Sequence, residues 1–494
     1  MKRKSTQKSR VSPPVSALER FKPLLMPQEL ALLIAELERP LAPSLRVNPL
    51  KARPERIQEW ALRYGWELKP VPYCSTGWWV PSAQTILSQT IEHRLGYYYI
   101  QDAASMLPVE LFDWDGLDNP LVLDMAASPG GKTTHLLAKM GDRGLVLAND
   151  SSADRIIALR LVLQNWGGLH AAVTNFHGEK FGRWYPNTFD RVLVDAPCSM
   201  QGLRSNMAHP MRALSDKERT GLAHRQLNLL KSAILAARPG GQVVYSTCTL
   251  EPEEDEGVID GLVKSFGGVV RVDDVNAGLT TPAPGLTKAY GQTFTPEVSH
   301  TARLWPHGYG TAGFFAARLT KLEATPDDGQ AAPGRPLAQA GWFPLARKEA
   351  AGLILFYQDT YGVSLEHLLE EHSLALWRRG NGVYAFPEAF FERFSELPVQ
   401  GLGLLMGEDT PDGFNLSHEW VARFGESFTN GRYLLTGDLA PAWLRGEDLL
   451  GADPRGLPLG LVAAVFDENG RLLGCGKRQA GRLKNLLPKR LRQG

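Results

Sequence analysis

From Leu121 onward the chain repeats one unit: a short apolar run, a polar residue or tight turn, then a helical stretch. LVLD, GLVLAND, AAVTN, RVLVDAP and GQVVYST follow one another in this way, and AGFFAARL at Ala312 to Leu319 closes the series as a late strand. Such short, continuously apolar runs fit strands covered on both faces. Their alternation with helices predicts an α/β domain built on a doubly wound parallel sheet over residues 116–322. In open sheets of this kind ligands bind beyond the carboxyl ends of the strands, so the residues that end these runs are the candidates for chemistry.

The chain has 494 residues, whereas a single core rarely exceeds about 300, so further domains flank the sheet. Residues 1–115 mix helices around Pro27 (Leu18 to Leu37) with LRVNPLKARPERIQEWALRYGWELKP, which reads as strand, helix, strand. Tyr97, Tyr98 and Tyr99 fit either an aromatic surface or core packing. Residues 323–340, rich in Pro, Gly, Ala and Gln, predict a linker. Beyond it, 341–425 reads as a helix-rich α+β domain with several aromatic residues and 426–494 as a more strand-like one. There LVAAVFDENGRLLGCGKR predicts a hairpin, with Asn469-Gly470 supplying the positive φ angles of its turn.

The net charge is only +1, but both ends are basic. Lys2, Arg3, Lys4, Lys8 and Arg10 open the chain; Lys477, Arg478, Arg482, Lys484, Lys489 and Arg490 close it. A polyanion touched at defined places fits this pattern, as do solvated tails. Pro13 and Pro14 follow the basic start, and Pro27, Gln28 and Glu29 break the apolar stretch near Leu24, which suits neither a signal peptide nor a membrane span. A cytoplasmic protein is expected. Cys74, Cys198, Cys248 and Cys475 are the four cysteines. They form no CxxC pair or other zinc spacing, so neither a metal nor a disulfide framework is expected.

AASPGGKTT, Ala126 to Thr134, lies between a strand and a helix. Gly130 and Gly131 let a ligand approach the backbone, and the helix start near Lys132 offers free amides and a positive dipole end. The same segment comes within one residue of the P-loop pattern GxxxxGK[ST], and LVDAP at Leu193 to Pro197 imitates a metal-binding aspartate, so a P-loop-type nucleotide hydrolase is an alternative. Asp150 ends the second strand about 20 residues after Gly131, where an acid can bind both ribose hydroxyls of an adenosine cofactor. It could equally cap the helix Ser151 to Trp166. Cys198 follows the fourth strand in DAPCS and Cys248 the fifth in STCT; neighbouring strands would bring both thiols to one crevice. The acids after Cys248, namely Glu251, Glu253, Glu254, Asp255 and Glu256, read as a solvated face at the start of a helix over Pro252 to Lys264.

At these residues the chain resembles the RNA cytosine-5 methyltransferases of the Nol/Nop/Sun family. The resemblance runs through RVNPLK, YYYIQDAASM, LDMAASPGGKT, DAPCS, STCTLEPEEDE, and RLWPH followed by GFFAARL. YLLTGDLAPAWLRGEDL and GCGKRQAGRLKNLLPKRLR are similar to the PUA-like RNA-binding module of the RsmF branch, whose substrate is 16S ribosomal RNA. The resemblance implies a Rossmann-like methyltransferase domain using S-adenosylmethionine, an N-terminal α+β RNA-binding domain of ferredoxin or RRM type, and a PUA-like C-terminal module. It implies ribosomal RNA, that of the small subunit, as partner of a monomeric enzyme. Cofactor contacts are implied for Ala126, Ala127, Ser128, Pro129, Gly130, Gly131, Lys132, Asp150, Asn175 and Asp195, and RNA contacts for the C-terminal basic residues.

Carbon-5 of a pyrimidine is a poor nucleophile, and addition of a thiolate to carbon-6 turns the ring into an enamine-like species that accepts a methyl group. Asp195 can donate to or accept from the cytosine edge and stabilise charge at nitrogen-3, and the resemblance makes Cys248 the attacking residue and Cys198 the releasing one. Asn175 stands where the family usually has aspartate, and Met200 replaces a frequent glycine, although Gly202 is kept. A non-catalytic RNA-binding ribosome assembly factor is the remaining alternative.

Overall fold

The computed structural model describes residues 15–204, 212–327, 329–436, 439–451 and 456–492. The basic residues from Lys2 to Arg10 lie outside the described residues. Two helices, Val15–Phe21 and Pro27–Leu37, precede a β-α-β-β-α-β unit: β1 (Ser44–Val47), the helix Arg56–Tyr64, β2 (Trp66–Pro70), β3 (Gly77–Ala83), the short helix Ile91–Arg94 and β4 (Tyr98–Ile100). The strands pair antiparallel in the order β2-β3-β1-β4, a ferredoxin-like unit. Ile57 and Trp60 bury one face of the first of these helices, which ends where Gly65 turns to φ +62°. Tyr97 and Tyr98 are core residues, while Tyr99 is half-buried at the border with the next domain.

The central sheet contains β5 (Leu121–Asp124), β6 (Leu145–Asn149), β7 (Ala171–Thr174), β8 (Phe189–Asp195) and β9 (Ala237–Thr247), parallel and ordered β9-β8-β5-β6-β7. The winding direction reverses at β5, which makes the carboxyl end of β5 the switch point. The strand Phe314–Lys321 runs antiparallel against β9, and β10 (Val270–Asp273) against it at the edge. Successive side chains point to opposite faces. Val122, Val146, Leu193 and Val244 pack with Leu136, Leu137, Leu159 and Leu163 of the helices Gly131–Met140 and Ala153–Trp166. Leu123, Leu147, Val192, Val194, Val243 and Tyr245 pack with Leu229, Leu230, Ile234, Ile259 and Leu262 of the helices Asp216–Ala236 and Glu256–Phe266.

The segment after residue 340 mixes helices and strands, as an α+β domain does, with more strand than the helix-rich expectation. Beside the helices Arg347–Tyr361 and Leu365–Glu371 it holds a five-stranded antiparallel sheet, and Gly401–Leu402 pairs with β7, extending the central sheet. The last domain is a second five-stranded sheet, in which Val462–Phe466 and Leu472–Gln479 form the expected hairpin. Gly470 takes φ +70° there while Asn469 stays out of the left-handed region; the Asp467 carboxylate holds the turn by accepting from the amides of Asn469 (3.0 Å) and Arg471 (2.9 Å).

The two terminal modules share one core. Leu45, Trp60 and Tyr98 pack in a single cluster with Trp443, Val465, Leu473 and Leu483. Tyr97 donates to Glu426 at 2.7 Å, Arg56 pairs with Glu426 at 3.1 Å, and Arg94 donates to the Leu491 carbonyl at 2.8 Å.

Candidate active site

The loop after β5 runs from Met125 to Gly130 and enters the helix Gly131–Met140. Gly130 lies at φ +114°, and a Cβ there would come within 2.9 Å of Val162, so only glycine turns this corner. The first intrahelical bond is Thr134 N to Gly130 O (2.9 Å), which leaves the first-turn amides without an acceptor inside the helix. That donor set at a switch point fits a nucleoside-type cofactor. Tyr99 borders the loop, 3.0 Å from where a Gly131 Cβ would stand.

Asp150, 2% exposed, braces the loop: its carboxylate accepts from Ser128 N at 3.2 Å and Ser152 N at 2.9 Å. The helix cap is not Asp150 but Ser152, whose hydroxyl accepts from Arg155 N in front of Ala153–Trp166. A carboxylate has about four lone-pair sites, so Asp150 can still accept from ribose hydroxyls. Asn175 turns its amide nitrogen to the Asp150 carbonyl at 2.7 Å, which leaves its Oδ1 as an acceptor.

Lys132 does not point as a phosphate-binding lysine would. Its Nζ lies 2.7 Å from Asp195 Oδ2 at the end of β8, and Ser246 of β9 donates to Asp195 Oδ1 at 2.8 Å. Burial opposes the Lys132 charge, but the Asp195 carboxylate outweighs it and holds Lys132 above its ordinary pKa. At the foot of the loop, burial pushes the Asp124 carboxyl up to about 7.

Because β8 and β9 are neighbours, the two thiols meet. Cys198 Sγ lies 3.2 Å from Cys248 Sγ, with Cys198 half-buried and Cys248 exposed. The hydrogen bond from Cys198 lowers the Cys248 pKa against the opposing effect of burial, and Lys132 adds to the lowering. The same hydrogen bond, together with burial, raises Cys198. Met200 adopts φ +58° and Leu203 φ +63° in the Cys198 loop, which explains a glycine preference at the former. Gly202 is required by space, since its Cβ would stand 2.8 Å from the Cys248 carbonyl oxygen.

The acids after Cys248 are not a solvated face. Glu251, Glu254, Asp255 and Glu256 are buried, and the helix starts only at Glu256. Each acid meets a partner remote in sequence. Asp255 and Glu256 bind the fully buried Arg303 (3.1 Å and 2.6 Å), which also donates to the Leu250 carbonyl. Glu251 binds Arg20 at 2.7 Å and Arg219 at 3.2 Å. Phe21 and Leu33 of the first two helices pack on Leu203 and Leu250, so the N-terminus backs both cysteine loops.

The RVNPLK motif supports the site from behind, a role its spacing does not reveal. Buried Arg46 donates to the Gly131 carbonyl (3.1 Å) and Thr134 (2.8 Å), whereas Asn48 and Lys51 donate to the carbonyls of Trp166 (2.9 Å) and Asn165 (2.8 Å) at the far end of the second helix. Cys74, Glu110 and His135 bring ligand atoms within 4.8 Å of one another, a grouping not legible in the sequence. Glu110 there already binds His135 (3.0 Å) and Lys139 (2.5 Å). Among the described residues no helix is long and apolar enough to cross a membrane.

The reversed sheet with its glycine corner at the switch point is a Rossmann-like methyltransferase domain, and similarity to known proteins makes the chain an S-adenosylmethionine-dependent RNA methyltransferase. Residues 115–320 match the model for 16S rRNA methyltransferase RsmB/F, residues 15–103 that for the N-terminal domain of 16S rRNA methyltransferase RsmF, and residues 433–493 that for the methyltransferase RsmF PUA domain. A ribosomal RNA small subunit methyltransferase F from Pectobacterium carotovorum is 34% identical over 94% of this chain and 93% of its own length. Its namesake from Erwinia tasmaniensis is 34% identical over 98% and 97%. A solved methyltransferase homolog from Pyrococcus horikoshii is 30% identical, with a TM-score of 0.53 over 63% of this chain and 100% of that one. The chain belongs to the ribosomal RNA small subunit methyltransferase F family, which sets aside the nucleotide hydrolase and the non-catalytic assembly factor.

Proposed function

We propose that the chain methylates carbon-5 of a cytosine in 16S ribosomal RNA through a covalent bond between Cys248 and carbon-6. The reading is carried by one observation, the 3.2 Å approach of the two thiols beside the Lys132–Asp195 pair. The Cys248 thiolate forms the sulfur–carbon-6 bond, and the ring double-bond electrons shift toward carbon-5. Asp195 faces the exocyclic amine and nitrogen-3 edge, while Lys132 offsets the negative charge that gathers on the ring. Ala126 to Lys132, Asp150, Asn175 and Asp195 would hold S-adenosylmethionine, which would supply the methyl group to carbon-5 and leave as the neutral thioether S-adenosylhomocysteine.

Once Cys248 is a neutral thioether it no longer carries the charge that kept the proton on Cys198. Cys198 then ionises to solvent and takes the proton from carbon-5. The electrons of that carbon–hydrogen bond rebuild the ring double bond, and Cys248 leaves as thiolate. The cytosine reaches the site flipped from its stack, at a cost of about a few kcal/mol. Phosphates are met by the C-terminal module: Lys484 and Lys489 are exposed and free of ion pairs among the described residues, whereas Lys477, Arg482 and Arg490 pair with Asp412, Asp448 and Glu419. Transfer of labelled methyl groups to small subunits and naked 16S RNA tests the reading: Cys248→Ala abolishes it, and full activity of that variant contradicts it.

A further inference from the structure

Two fully buried side chains outside the reacting set grip the residues on either side of Cys198. Glu254 Oε2 accepts from Ser199 N at 3.0 Å and from Gln226 Nε2 at 2.8 Å, and the same Gln226 nitrogen donates to the Pro197 carbonyl at 3.0 Å. Glu254 follows Cys248 in its loop, and Gln226 lies on the helix Asp216–Ala236. The clamp therefore ties the releasing cysteine to the loop of the attacking one. Tyr245 fixes the Glu254 backbone by donating to its carbonyl at 2.6 Å, and the Ser199 and Thr249 hydroxyls bridge the loops at 3.1 Å. This arrangement would be excessive for packing alone. Glu254 Oε1 and Gln226 Oε1 are buried without partners among the described residues, a burial that carries a penalty.

We infer that Glu254 and Gln226 are positioning residues for Cys198, serving the release half of the reaction and not the attack by Cys248. The inference rests on the division of labour proposed above. Neither side chain hydrogen-bonds to Cys248 or to the Lys132–Asp195 pair, so their loss reaches the attack only through the Cys198 hydrogen bond, and that effect fades above the usual thiol pKa of about 8.5, where Cys248 is ionised without it. Removal of the carbon-5 proton needs the Cys198 sulfur held within close tolerance, and a displacement of about 1 Å can slow such a step by about a hundredfold.

The test uses the full chain with small subunits or 16S RNA and labelled S-adenosylmethionine. It reads three quantities in single turnover: methyl transfer, the fraction of protein in covalent adduct with RNA, and the rate at which adduct decays. Above the usual thiol pKa of about 8.5, Glu254→Ala and Gln226→Leu are expected to keep the rate of adduct formation while adduct decay slows by about ten- to a hundredfold. Glu254→Gln, which keeps an oxygen acceptor for Ser199, restores most of the decay rate. Cys198→Ala is run beside them. If it traps adduct while both clamp variants release as fast as the unaltered protein, the clamp is overturned and the cysteine assignment stands. The clamp is equally overturned if its variants lose adduct formation instead of release. If Cys198→Ala traps no adduct, the division of labour itself fails and takes the clamp with it. A thermal melt of each variant, with Gln226→Leu as the second route should Glu254→Ala not fold, keeps the result readable.

Discussion

Cys198 Sγ stands 3.2 Å from Cys248 Sγ, close enough for one thiol to donate to the other's thiolate. The pair is asymmetric: Cys248 is the exposed member with the lowered pKa, and Cys198 the shielded one with the raised pKa. The proposed mechanism gives the attack to the first. Alkylation of Cys248 by iodoacetamide should therefore reach its plateau below the usual thiol pKa of about 8.5. Cys198→Ala removes the donor and should move the midpoint upward. An unmoved midpoint would show that the hydrogen bond does not set the reactivity.

Arg303 is wholly buried between Asp255 and Glu256 and carries the start of the helix that follows the Cys248 loop. Arg303→Leu leaves two carboxylates without their cation, which should cost about 3–5 kcal/mol. Denaturant unfolding measures this, and a loss under 1 kcal/mol, on the order of a surface pair, would mean that the acids find other partners.

Met200 occupies the left-handed region at φ +58° with an exposed side chain. Met200→Gly should stabilise the protein by about 1 kcal/mol, opposite in sign to most substitutions by glycine. A lower unfolding midpoint would indicate that Met200 contributes packing that outweighs its backbone cost.

RNA affinity should fall steeply with salt. Removing Lys484 and Lys489 together should reduce the slope of log K against log salt by about 1.4–1.8, whereas removing the ion-paired Arg490 should change it less. Filter binding to 16S RNA at several salt concentrations reads both; equal slopes for all variants would contradict a phosphate role.

The central strands were legible because burial on both faces writes them as unbroken apolar runs, and the thiols were legible because each sits where such a run ends. The acids after Cys248 were misread for a physical reason. A cluster of carboxylates looks solvated unless its partners are known, and these are Arg303, 47 residues from Glu256, and Gln226, 28 residues from Glu254. The Gly401–Leu402 strand is two residues long and carries no periodicity. The joint between the terminal modules depends on contacts such as Tyr97 with Glu426, which no local pattern announces.

The division of labour between the cysteines is tested most directly by denaturing electrophoresis of the protein after turnover on labelled 16S RNA. Cys198→Ala should carry RNA as a covalent adduct, and Cys248→Ala, alone or combined with Cys198→Ala, should carry none. Adduct in the Cys248→Ala protein, or its absence from Cys198→Ala while methyl transfer continues, would contradict the mechanism.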